Sequence, residues 1–275
     1  MKIDLLKNIE YTLTKNESLL IDFIYQNITF FPFMSIQEIS EKTHISASTI
    51  SRLPKHLGFS NLKELKQYIL KSNENPASKL TYSLNQNDSI IQFLKYQNQC
   101  IEKTMEYLDL NTFNKAIINI VNAKEIYIFA KGATIGLAEL LQFRLNRYSK
   151  KISILPSSGS EIFEILPKIK KEDLVIIFAF SKTPIEAQVL IDYCKKTKCP
   201  TLMFTSRIHN NEELQADDNI FIYRGESKEY HSMTAATALI DAIIIEVAKV
   251  GGDDYIKHIK EIYHLKEEYK TKIQR

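Results

Sequence analysis

Hydroxyl side chains, followed by basic ones, are concentrated between residues 46 and 56 in a pattern that suits contact with double-stranded DNA. At 100° per residue, Ser48, Arg52 and Lys55 fall on one side of a helix, opposite a run of apolar residues. An arginine on such a face can pair bidentately with guanine, and hydroxyl or lysine groups can contact phosphates. The pattern predicts a DNA-binding surface made of Ser46, Ser48, Thr49, Ser51, Arg52, Lys55 and His56.

Two short helices separated by a tight turn are needed to position this surface. Ser35 and Glu38 have the spacing of a capping box at the start of the first helix. Ser46 is a capping residue type at the start of the second. A further helix is expected from about residue 60 to Lys71. This layout is that of a helix-turn-helix, whose second helix enters the major groove.

The charge of this region is compatible with DNA but does not establish DNA binding. From Lys42 to Lys71 there are six Lys or Arg residues and one acidic residue, Glu64, and phosphate contacts require that sign of charge. The whole chain has a formal net charge of only +3. A plain three-helix bundle with a solvated basic face would show the same spacing, so both interpretations stay open on the pattern alone.

Polar loops in the second half of the chain could hold an anion. Residues 131–134 (Lys-Gly-Ala-Thr) follow one predicted strand, and residues 181–184 (Ser-Lys-Thr-Pro) follow another. Small residues, hydroxyls and backbone N–H groups at helix starts can bind phosphate, and the two lysines would add charge. Ordinary strand-to-helix turns need the same residue types, so this pattern also fits turns without a ligand.

Alternating strands and helices must carry these loops. Apolar runs predict five strands, and amphipathic or capped runs predict the helices between them. The pattern indicates an α/β fold with a mostly parallel five-stranded sheet flanked by helices, in which ligands bind beyond the carboxyl ends of the strands. The predicted strands are 125–130, 151–155, 173–180, 200–205 and 219–223, and the predicted helices are 134–148, 184–196 and 232–250.

Composition shifts divide the chain into four parts. Residues 1–75 are predicted to form an all-α helix-turn-helix bundle, and residues 109–250 the α/β domain. Residues 76–108 are predicted to be a linker followed by a connector helix from about Ser89. Residues 251–275 are expected to form an amphipathic helix that packs on the domain or on a second subunit.

The segment ISASTISRLPKHLGFSNLKELK resembles the recognition segment of RpiR-type bacterial transcription regulators. Where those families usually have a turn glycine, this chain has His44, a residue type that visits left-handed conformations more readily than most. Pro54 lies inside the recognition helix, where it removes one hydrogen bond and is expected to bend the helix. The residues that match the family pattern in order are Ser46, Thr49, Arg52, Leu57, Gly58, Phe59, Leu65 and Lys66.

Residues 106–250 resemble a sugar-isomerase (SIS) domain, the phosphosugar-binding partner of the helix-turn-helix in RpiR-type regulators. EDLVIIFAFSKTPIEA aligns with the family's strand and its Ser-x-Ser-Gly-x-Thr-x-Glu loop, LMFTS with a later strand and loop, and ALIDAIIIEVA with the closing helix. The resemblance implies a ligand site formed by Lys131, Gly132, Ala133, Thr134, Ser181, Lys182, Thr183, Glu186, Thr205 and Ser206.

The main phosphate loop departs from that family pattern. Only Ser181 and Glu186 are retained, while Ala179, Lys182 and Pro184 replace the first Ser, the Gly and the Thr. Because proline has neither an N–H nor a hydroxyl, Pro184 cannot replace Thr in holding phosphate. Lys182 either compensates with a charge-assisted bond or fills the pocket with its side chain. The expected ligand is therefore an unusual phosphosugar, a different anion, or none.

Composition excludes several other classes of protein. The chain has 275 residues, 44% of them hydrophobic and 25% charged, as in globular proteins. The N-terminal MKIDLLKNIE has acids where a signal peptide is apolar, and no run of 18 apolar residues suggests a membrane span, so we expect a cytoplasmic protein without membrane contact. Cys100, Cys194 and Cys199 lack the partners of a zinc site and are expected to be buried, reduced thiols. No cofactor is expected.

Three functional hypotheses follow. The first is a transcriptional regulator of carbohydrate-metabolism genes that binds an operator as a homodimer or homotetramer, with a phosphosugar effector that changes its DNA affinity. The second is a phosphosugar isomerase or lyase, for which His231, Glu161 and Glu139 are the loosely placed candidates for a general base. The third is a regulator whose SIS-like domain only dimerises.

Overall fold

The computed structural model of the chain describes residues 13–28, 31–72, 79–80, 83–84, 89–207, 215–226 and 229–273. The chain divides into two compact units. The first contains the N-terminal helices, together with the segment Arg224–Ser232. The second contains a β-sheet and the helices that flank it.

Four helices form the described part of the N-terminal region, which confirms the predicted all-α bundle. They are α1 (Lys15–Gln26), α2 (Ile36–Thr43), α3 (Ala47–His56) and α4 (Leu62–Ser72). The capping box predicted for α2 is present, because Ser35 N–H donates to Glu38 Oε2 at 2.6 Å and Glu38 N–H donates to Ser35 Oγ at 3.1 Å. The sequence did not predict α1, although Thr14 and Glu17 form a capping box at its start.

One apolar core joins these four helices. Ile39 of α2, Ile50 and Leu53 of α3, and Leu65 of α4 are all almost completely buried. The predicted apolar side of α3 is therefore the side that packs inward. Burial of side chains of this size stabilises the bundle by about 1.5–3 kcal/mol each.

Five strands form the sheet of the second unit: β1 (Glu125–Phe129), β2 (Lys151–Ile154), β3 (Leu174–Phe178), β4 (Thr201–Thr205) and β5 (Asp218–Phe221). Their order is β2-β1-β3-β4-β5, and each neighbouring pair is parallel. The predicted five-stranded α/β fold is confirmed. Every residue of β3 and β4 is buried, as expected for parallel strands covered by helices on both faces.

The further α-helices are α5 (Ile90–Glu106), α6 (Leu110–Asn122), α7 (Ile135–Asn146), α8 (Ile162–Ile165), α9 (Ile185–Thr197) and α10 (Thr234–Glu268). Short 3₁₀ helices lie at Phe31–Phe33, Gly132–Thr134 and Leu166–Lys168. α5 lies where a helix was predicted from about Ser89, and its role as a connector stays a prediction. Residues 76–78, 81–82 and 85–88 of the predicted linker lie outside the described residues. α6 was not among the predicted elements. Asp109 caps it by accepting the backbone N–H groups of Asn111 and Thr112.

The order of the strands determines where a ligand crevice can form. From β1 the chain moves to β2 on one side, and β3, β4 and β5 then follow on the other side of β1. In open α/β sheets, ligands bind beyond the carboxyl ends of the strands at such a switch point. The loops after β1 and β3 start at this point.

α10 is interrupted near its middle. Gly252 has a φ of 63° and a ψ of −148°, so the helix divides into two segments there. The second segment lies where a helix was predicted over residues 251–275, but it ends at Glu268. Within the described ranges, none of the helices has the length and apolar character needed to span a lipid bilayer.

Candidate functional site

α3 presents the predicted DNA-binding residues at the surface of the N-terminal bundle. Ser46, Ser48, Ser51, Arg52, Lys55 and His56 are exposed, and Thr49 is half-buried. The opposite side of the same helix packs into the core through Ile50 and Leu53. The helix therefore has the two-sided character that a major-groove reader needs.

Ser46 begins α3 and gathers three hydroxyl groups there. Its Oγ accepts the Thr49 backbone N–H at 3.3 Å and lies 2.9 Å from the hydroxyl oxygens of Ser48 and of Thr49. A serine cap of this kind stabilises a helix by about 1 kcal/mol. The hydroxyls stand at the helix end whose partial positive charge attracts phosphate.

His44 makes the turn between α2 and α3. It adopts a left-handed conformation, with φ 56° and ψ 25°, and its backbone N–H donates to the Ser40 carbonyl. The Ser40 hydroxyl donates in turn to the Ile45 carbonyl at 2.7 Å. The expectation that histidine takes the place of the usual turn glycine is confirmed.

Pro54 lies in the last part of α3, and the helix continues past it to His56. The Pro54 carbonyl accepts the Phe59 N–H at 2.8 Å, and the Lys55 carbonyl accepts the Gly58 N–H at 3.1 Å. With Gly58 at a φ of 82°, these bonds form a Schellman cap, in which orphan carbonyls of the last turn are satisfied. The proline thus belongs to the helix terminus, and the residues from Ser46 to Arg52 precede it.

Two of the predicted contact residues with nitrogen-bearing side chains, Arg52 and His56, also have partners within the bundle. Arg52 Nε donates to the Ser48 carbonyl at 3.4 Å. His56 Nδ1 lies 2.5 Å from Glu17 Oε1, and only 6% of the Glu17 side chain is exposed. This pair ties the end of α3 to α1. A DNA contact by His56 stays a prediction.

The basic residues of the region are not equally accessible. Lys42, Arg52, Lys55 and Lys63 are exposed. Lys66 is half-buried, and its ammonium group donates to the Met34 carbonyl. Burial lowers the pKa of Lys66. The exposed charge available to phosphate is therefore concentrated on α3 and its two neighbouring helices.

In the second unit, an ion pair links the two loops at the switch point of the sheet. Lys131 Nζ, after β1, lies 3.0 Å from Glu186 Oε1, in the first turn of α9. Burial alone would raise the pKa of Glu186, but hydrogen bonds from its own backbone and from Lys131 outweigh burial and lower that pKa. Glu186 Oε2 is buried without a hydrogen-bond partner among the described atoms, and it could accept a ligand hydroxyl.

The loop after β1 is open to solvent around this pair. Lys131, Gly132 and Ala133 are exposed, whereas Thr134 is buried. The Lys131 N–H donates to Thr134 Oγ1 at 3.0 Å. Gly132 has a φ of 63°, a conformation that favours glycine. The predicted hydroxyl of this loop is therefore part of the turn itself.

Arg207 is a residue of the site that the sequence reasoning missed. It directly follows Ser206, and its Nε and Nη2 donate to the Ser181 carbonyl at 2.9 and 2.6 Å. Its backbone N–H donates to Thr205 Oγ1 at 3.2 Å. The side chain joins the loop after β4 to the loop after β3. The sequence signal that could have predicted Arg207 as a site residue is its position, immediately after the Thr-containing loop.

Some of the other predicted residues of these loops form hydrogen bonds within the unit, and others are exposed to solvent. The Ser206 hydroxyl donates to the Ile222 carbonyl at 2.7 Å, and the buried Thr183 accepts the Gln188 side chain with its carbonyl at 2.8 Å. Ser181 and Lys182 are exposed. Because its side chain is exposed, Lys182 does not fill the loop. A charge-assisted bond from Lys182 to a ligand stays a prediction. No side chain caps α9 after Pro184.

The candidate bases of the enzyme hypothesis lie on separate elements, His231 in the first compact unit and Glu139 and Glu161 in the second. His231 Nε2 lies 3.0 Å from the Lys79 ammonium nitrogen. Glu139 and Glu161 are exposed, the first on α7 and the second just before α8. In the part of the chain that the structure describes, no cluster of three or more His, Cys, Asp or Glu residues could hold a metal ion. The three cysteine side chains are buried.

Two family models match this chain. The N-terminal match is to the helix-turn-helix domain of the rpiR family, over residues 3–76. The second match is to the SIS domain, over residues 119–246. An uncharacterized HTH-type transcriptional regulator of Providencia stuartii is 23% identical over 236 residues, or 84% of this chain and 83% of that protein. Another, from Clostridium perfringens, is 25% identical over 181 residues, or 64% of each chain.

Solved structures share the fold. The Vibrio vulnificus NanR protein, complexed with ManNAc-6P, superposes with a TM-score of 0.61 at 17% sequence identity, covering 96% of this chain and 97% of that one. The sugar isomerase domain of an RpiR transcription factor from Sphaerobacter thermophilus has a TM-score of 0.59 at 15% identity, covering 65% of this chain and 99% of that one. Both structures support the arrangement of helices and parallel strands described above.

Proposed function

Since the chain is a protein of the RpiR type, with an rpiR-family helix-turn-helix domain followed by a SIS domain, we propose that it is a transcriptional regulator of carbohydrate-metabolism genes whose DNA affinity responds to a phosphosugar. The observation that carries this proposal is the exposed Ser48, Arg52 and Lys55 face of α3, opposite its buried side. The proposal divides the chain into a helix-turn-helix domain (1–75), a linker with a connector helix (76–108), a SIS-like domain (109–250) and a C-terminal helix (251–275). On the basis of this DNA-binding role, we also propose a cytoplasmic location.

In this proposal, α3 reads double-stranded operator DNA. Arg52 pairs with guanine, while Ser48, Thr49 and Lys55 contact the phosphate backbone and set the position of the helix. The protein acts as a homodimer or homotetramer, because paired recognition helices can then contact half-sites roughly 34–36 Å apart. The hydroxyl cluster around Ser46 supports phosphate contact at the start of α3.

Substitution of Arg52 tests the DNA-binding half of the proposal. Arg52→Ala should weaken the specific complex by about 1–3 kcal/mol, because a bidentate base contact is lost. The measurement is a gel-shift titration against an operator found by footprinting the DNA next to the gene. Lys15→Ala, which removes an exposed charge from α1, is the matched control and should change affinity little. Equal affinities for wild type and Arg52→Ala would refute the assignment.

The ligand half of the proposal rests on charge at the switch point. Lys131, Lys182 and Arg207 place three cations in the loops after β1, β3 and β4, where the hydroxyls of the family pattern are partly missing. Such charges can form charge-assisted bonds with a phosphate. That a protein of the same fold is complexed with ManNAc-6P supports a phosphosugar as the ligand here.

A thermal-shift screen tests the ligand half. Inorganic phosphate and a panel of pentose, hexose and N-acetylhexosamine phosphates would be added to the wild-type protein and to Lys182→Ala. A ligand that binds only the folded state raises the unfolding temperature, and the Lys182→Ala change should abolish most of that shift. Lys168→Ala, an exposed lysine before β3, should keep it. No shift across the panel would favour a SIS domain that only dimerises.

We propose no catalytic role for the chain. Its relatives in Providencia stuartii and Clostridium perfringens are named as transcriptional regulators. The candidate base His231 is held by Lys79, and Glu186 is engaged by Lys131. Isomerisation of any phosphosugar that binds in the thermal-shift screen would overturn this part of the proposal.

A further inference from the structure

The connection between β5 and α10 is long, and its middle belongs to the first compact unit. Twelve residues (222–233) separate the two elements, whereas connections in α/β units usually have about two to six. Residues Arg224–Ser232 of this connection group with the N-terminal helices. The chain is thus covalently continuous from the carboxyl edge of the sheet, where ligands of such folds bind, into the first unit and back. We refer to Arg224–Ser232 as the return loop.

The return loop closes on itself at its base. The Ser232 N–H donates to the Arg224 carbonyl at 3.0 Å, and Arg224 Nε donates to the Ser232 carbonyl at 2.9 Å. Further along the loop, the Glu226 N–H donates to Glu229 Oε2 at 2.6 Å, and the Glu229 N–H donates to the Glu226 carbonyl at 2.9 Å. Loops with joined ends and internal contacts are compact units, so a displacement of the base also displaces the rest of the loop.

The first half of α5 holds the return loop. Tyr96 donates its hydroxyl to Glu229 Oε2 at 2.8 Å, and the buried Ser232 donates its hydroxyl to the buried Gln97 side chain. Burial and the bond to Glu229 raise the pKa of the Tyr96 hydroxyl, so it stays a hydrogen-bond donor. A Cβ atom at Gly225 would lie 2.0 Å from Tyr96 Oη. Glycine is therefore required for this close approach.

Two described residues of the linker are bound to the same loop. Lys79 Nζ lies 3.0 Å from His231 Nε2, and because an ammonium group can only donate, the ring nitrogen accepts this bond. The Tyr230 N–H donates to Oγ of the buried Ser83 at 2.8 Å. Both linker residues follow α4, the last helix of the N-terminal bundle. The return loop therefore holds the part of the chain that leads out of the DNA-binding helices.

The strength of these linker contacts suits a reversible docking. A hydrogen bond of this kind favours the docked state by roughly two- to ten-fold. Two of them together give a bias of about 4- to 100-fold. Allosteric effects of one ligand on another are commonly about 5- to 150-fold. A ligand could therefore shift the linker between a docked and a released state.

We propose that the return loop carries the effector signal, because the linker docks on it in one state of the protein and is released in the other. This inference rests on the proposed function and adds the element through which a ligand at the sheet edge changes operator affinity. A ligand that displaces the end of β5 or the start of α10 moves the base of the loop. The closed loop passes this displacement to Tyr230 and His231, which hold the linker. Because coupling is reciprocal, operator binding must also act on the return loop.

Amide hydrogen exchange of the full-length protein tests the docking without any ligand. Tyr96→Phe removes only the hydroxyl that holds the loop, and it should make exchange of residues 79–84 about five-fold faster. Tyr107→Phe removes the hydroxyl of an exposed tyrosine just after α5 and should leave exchange in the linker unchanged. If Tyr96→Phe leaves the exchange of residues 79–84 unchanged, the linker does not depend on the return loop and the proposal is wrong.

The same measurement with operator DNA tests the transmission and needs no identified effector. The probe is the operator duplex found by footprinting. A saturating amount of duplex should change exchange of residues 224–232 in the wild type by about two-fold or more. Lys79→Met, which removes the linker bond to His231, should abolish this change while the duplex still binds. Lys95→Met, which alters an exposed lysine of α5, should keep it.

The outcomes distinguish this inference from the proposed function. A wild-type protein that does not bind the duplex refutes the proposed function, and this inference with it. Bound duplex without an effect on residues 224–232 in the wild type, or with an equal effect in Lys79→Met, overturns this inference alone. Loss of duplex binding in Lys79→Met would show that the linker bond supports DNA binding itself, which also overturns the role in transmission.

Discussion

At the scale of single residues, Glu17 decides how α3 is held in the bundle. Its carboxylate accepts the Thr14 N–H at 2.9 Å and the Thr14 hydroxyl at 2.8 Å, and it also lies against His56. One nearly buried side chain thus caps α1 and holds the end of the helix that carries the DNA-facing residues. Hydrogen bonds to a charged group of this kind contribute about 1.5–3 kcal/mol each.

The titration of Glu17 should appear in the pH dependence of stability. Burial alone would raise the pKa of Glu17, but the hydrogen bonds from Thr14 and His56 outweigh it, so the folded-state pKa lies below its ordinary value. A depressed carboxyl pKa means that the stabilisation is fully present above the unfolded value, about 4.3, and is lost as the pH falls through the folded value. Urea unfolding of the wild type should therefore show stability falling as pH decreases below about 4.

The Glu17→Gln substitution separates the contribution of the Glu17 carboxylate to the pH dependence of stability from that of the other carboxylates. The variant should lose about 1–3 kcal/mol of the free energy of unfolding at pH 7, and the difference from wild type should shrink towards pH 3. Glu41→Gln, an exposed acid on α2, serves as the control and should follow the wild-type curve. A difference that stays constant from pH 7 to pH 3 would mean that the carboxylate charge is not what stabilises the bundle.

At the scale of secondary-structure elements, the sequence predicted those with a strong local signal. The five strands are apolar runs bounded by polar turns, and their limits agree with the structure to within two residues. The sequence did not predict α1, α6 or the short α8, although α1 and α6 begin with capping residues, Thr14 and Asp109. Because Thr and Asp are also common in turns, a capping residue alone does not predict a helix.

Contacts between loops were beyond the reach of sequence reasoning. The Arg207 bond to the Ser181 carbonyl and the Lys131 pair with Glu186 both join positions far apart in the chain. Their proximity follows from the strand order β2-β1-β3-β4-β5, which a single sequence does not specify. The sequence predicted which residue types lie in the loops at the switch point, but it did not predict which residues of other loops they contact.

The turn between α2 and α3 provides a prediction at the same scale. A non-glycine residue in a left-handed conformation costs roughly 1–2 kcal/mol, and His44 has a φ of 56°. His44→Gly should therefore raise the free energy of unfolding by about 0.5–1 kcal/mol, after the greater unfolded-state freedom of glycine is subtracted. His44→Val should lower it, because a β-branched residue tolerates this conformation poorly.

Urea denaturation of the two variants checks the turn. Both substitutions lie on an exposed residue, so loss of core packing does not enter the comparison. Equal stabilities for His44→Gly and His44→Val would show that the backbone conformation at this turn carries no cost.

At the scale of the whole molecule, regulation requires a free-energy coupling between operator and effector. An effector changes DNA affinity only to the extent that it binds the DNA-competent and incompetent states differently. The helix-turn-helix and the SIS domain can each bind their own ligand perfectly well without any such difference. A regulator that responds to its effector therefore differs from a protein with two independent binding domains in this coupling, and not in whether either ligand binds.

The coupling must also be reciprocal, which supplies a strict test of the regulator. If a phosphosugar changes operator affinity by a factor between about 5 and 150, the operator must change phosphosugar affinity by the same factor. Gel-shift titrations with and without the effector measure the first factor, and calorimetric titrations of the effector with and without operator DNA measure the second. Arg52→Ala should weaken operator binding while leaving effector binding to the DNA-free protein unchanged, because the substituted residue lies in the N-terminal bundle. Effector binding with a coupling factor of one would make the SIS domain a binding module without a regulatory role.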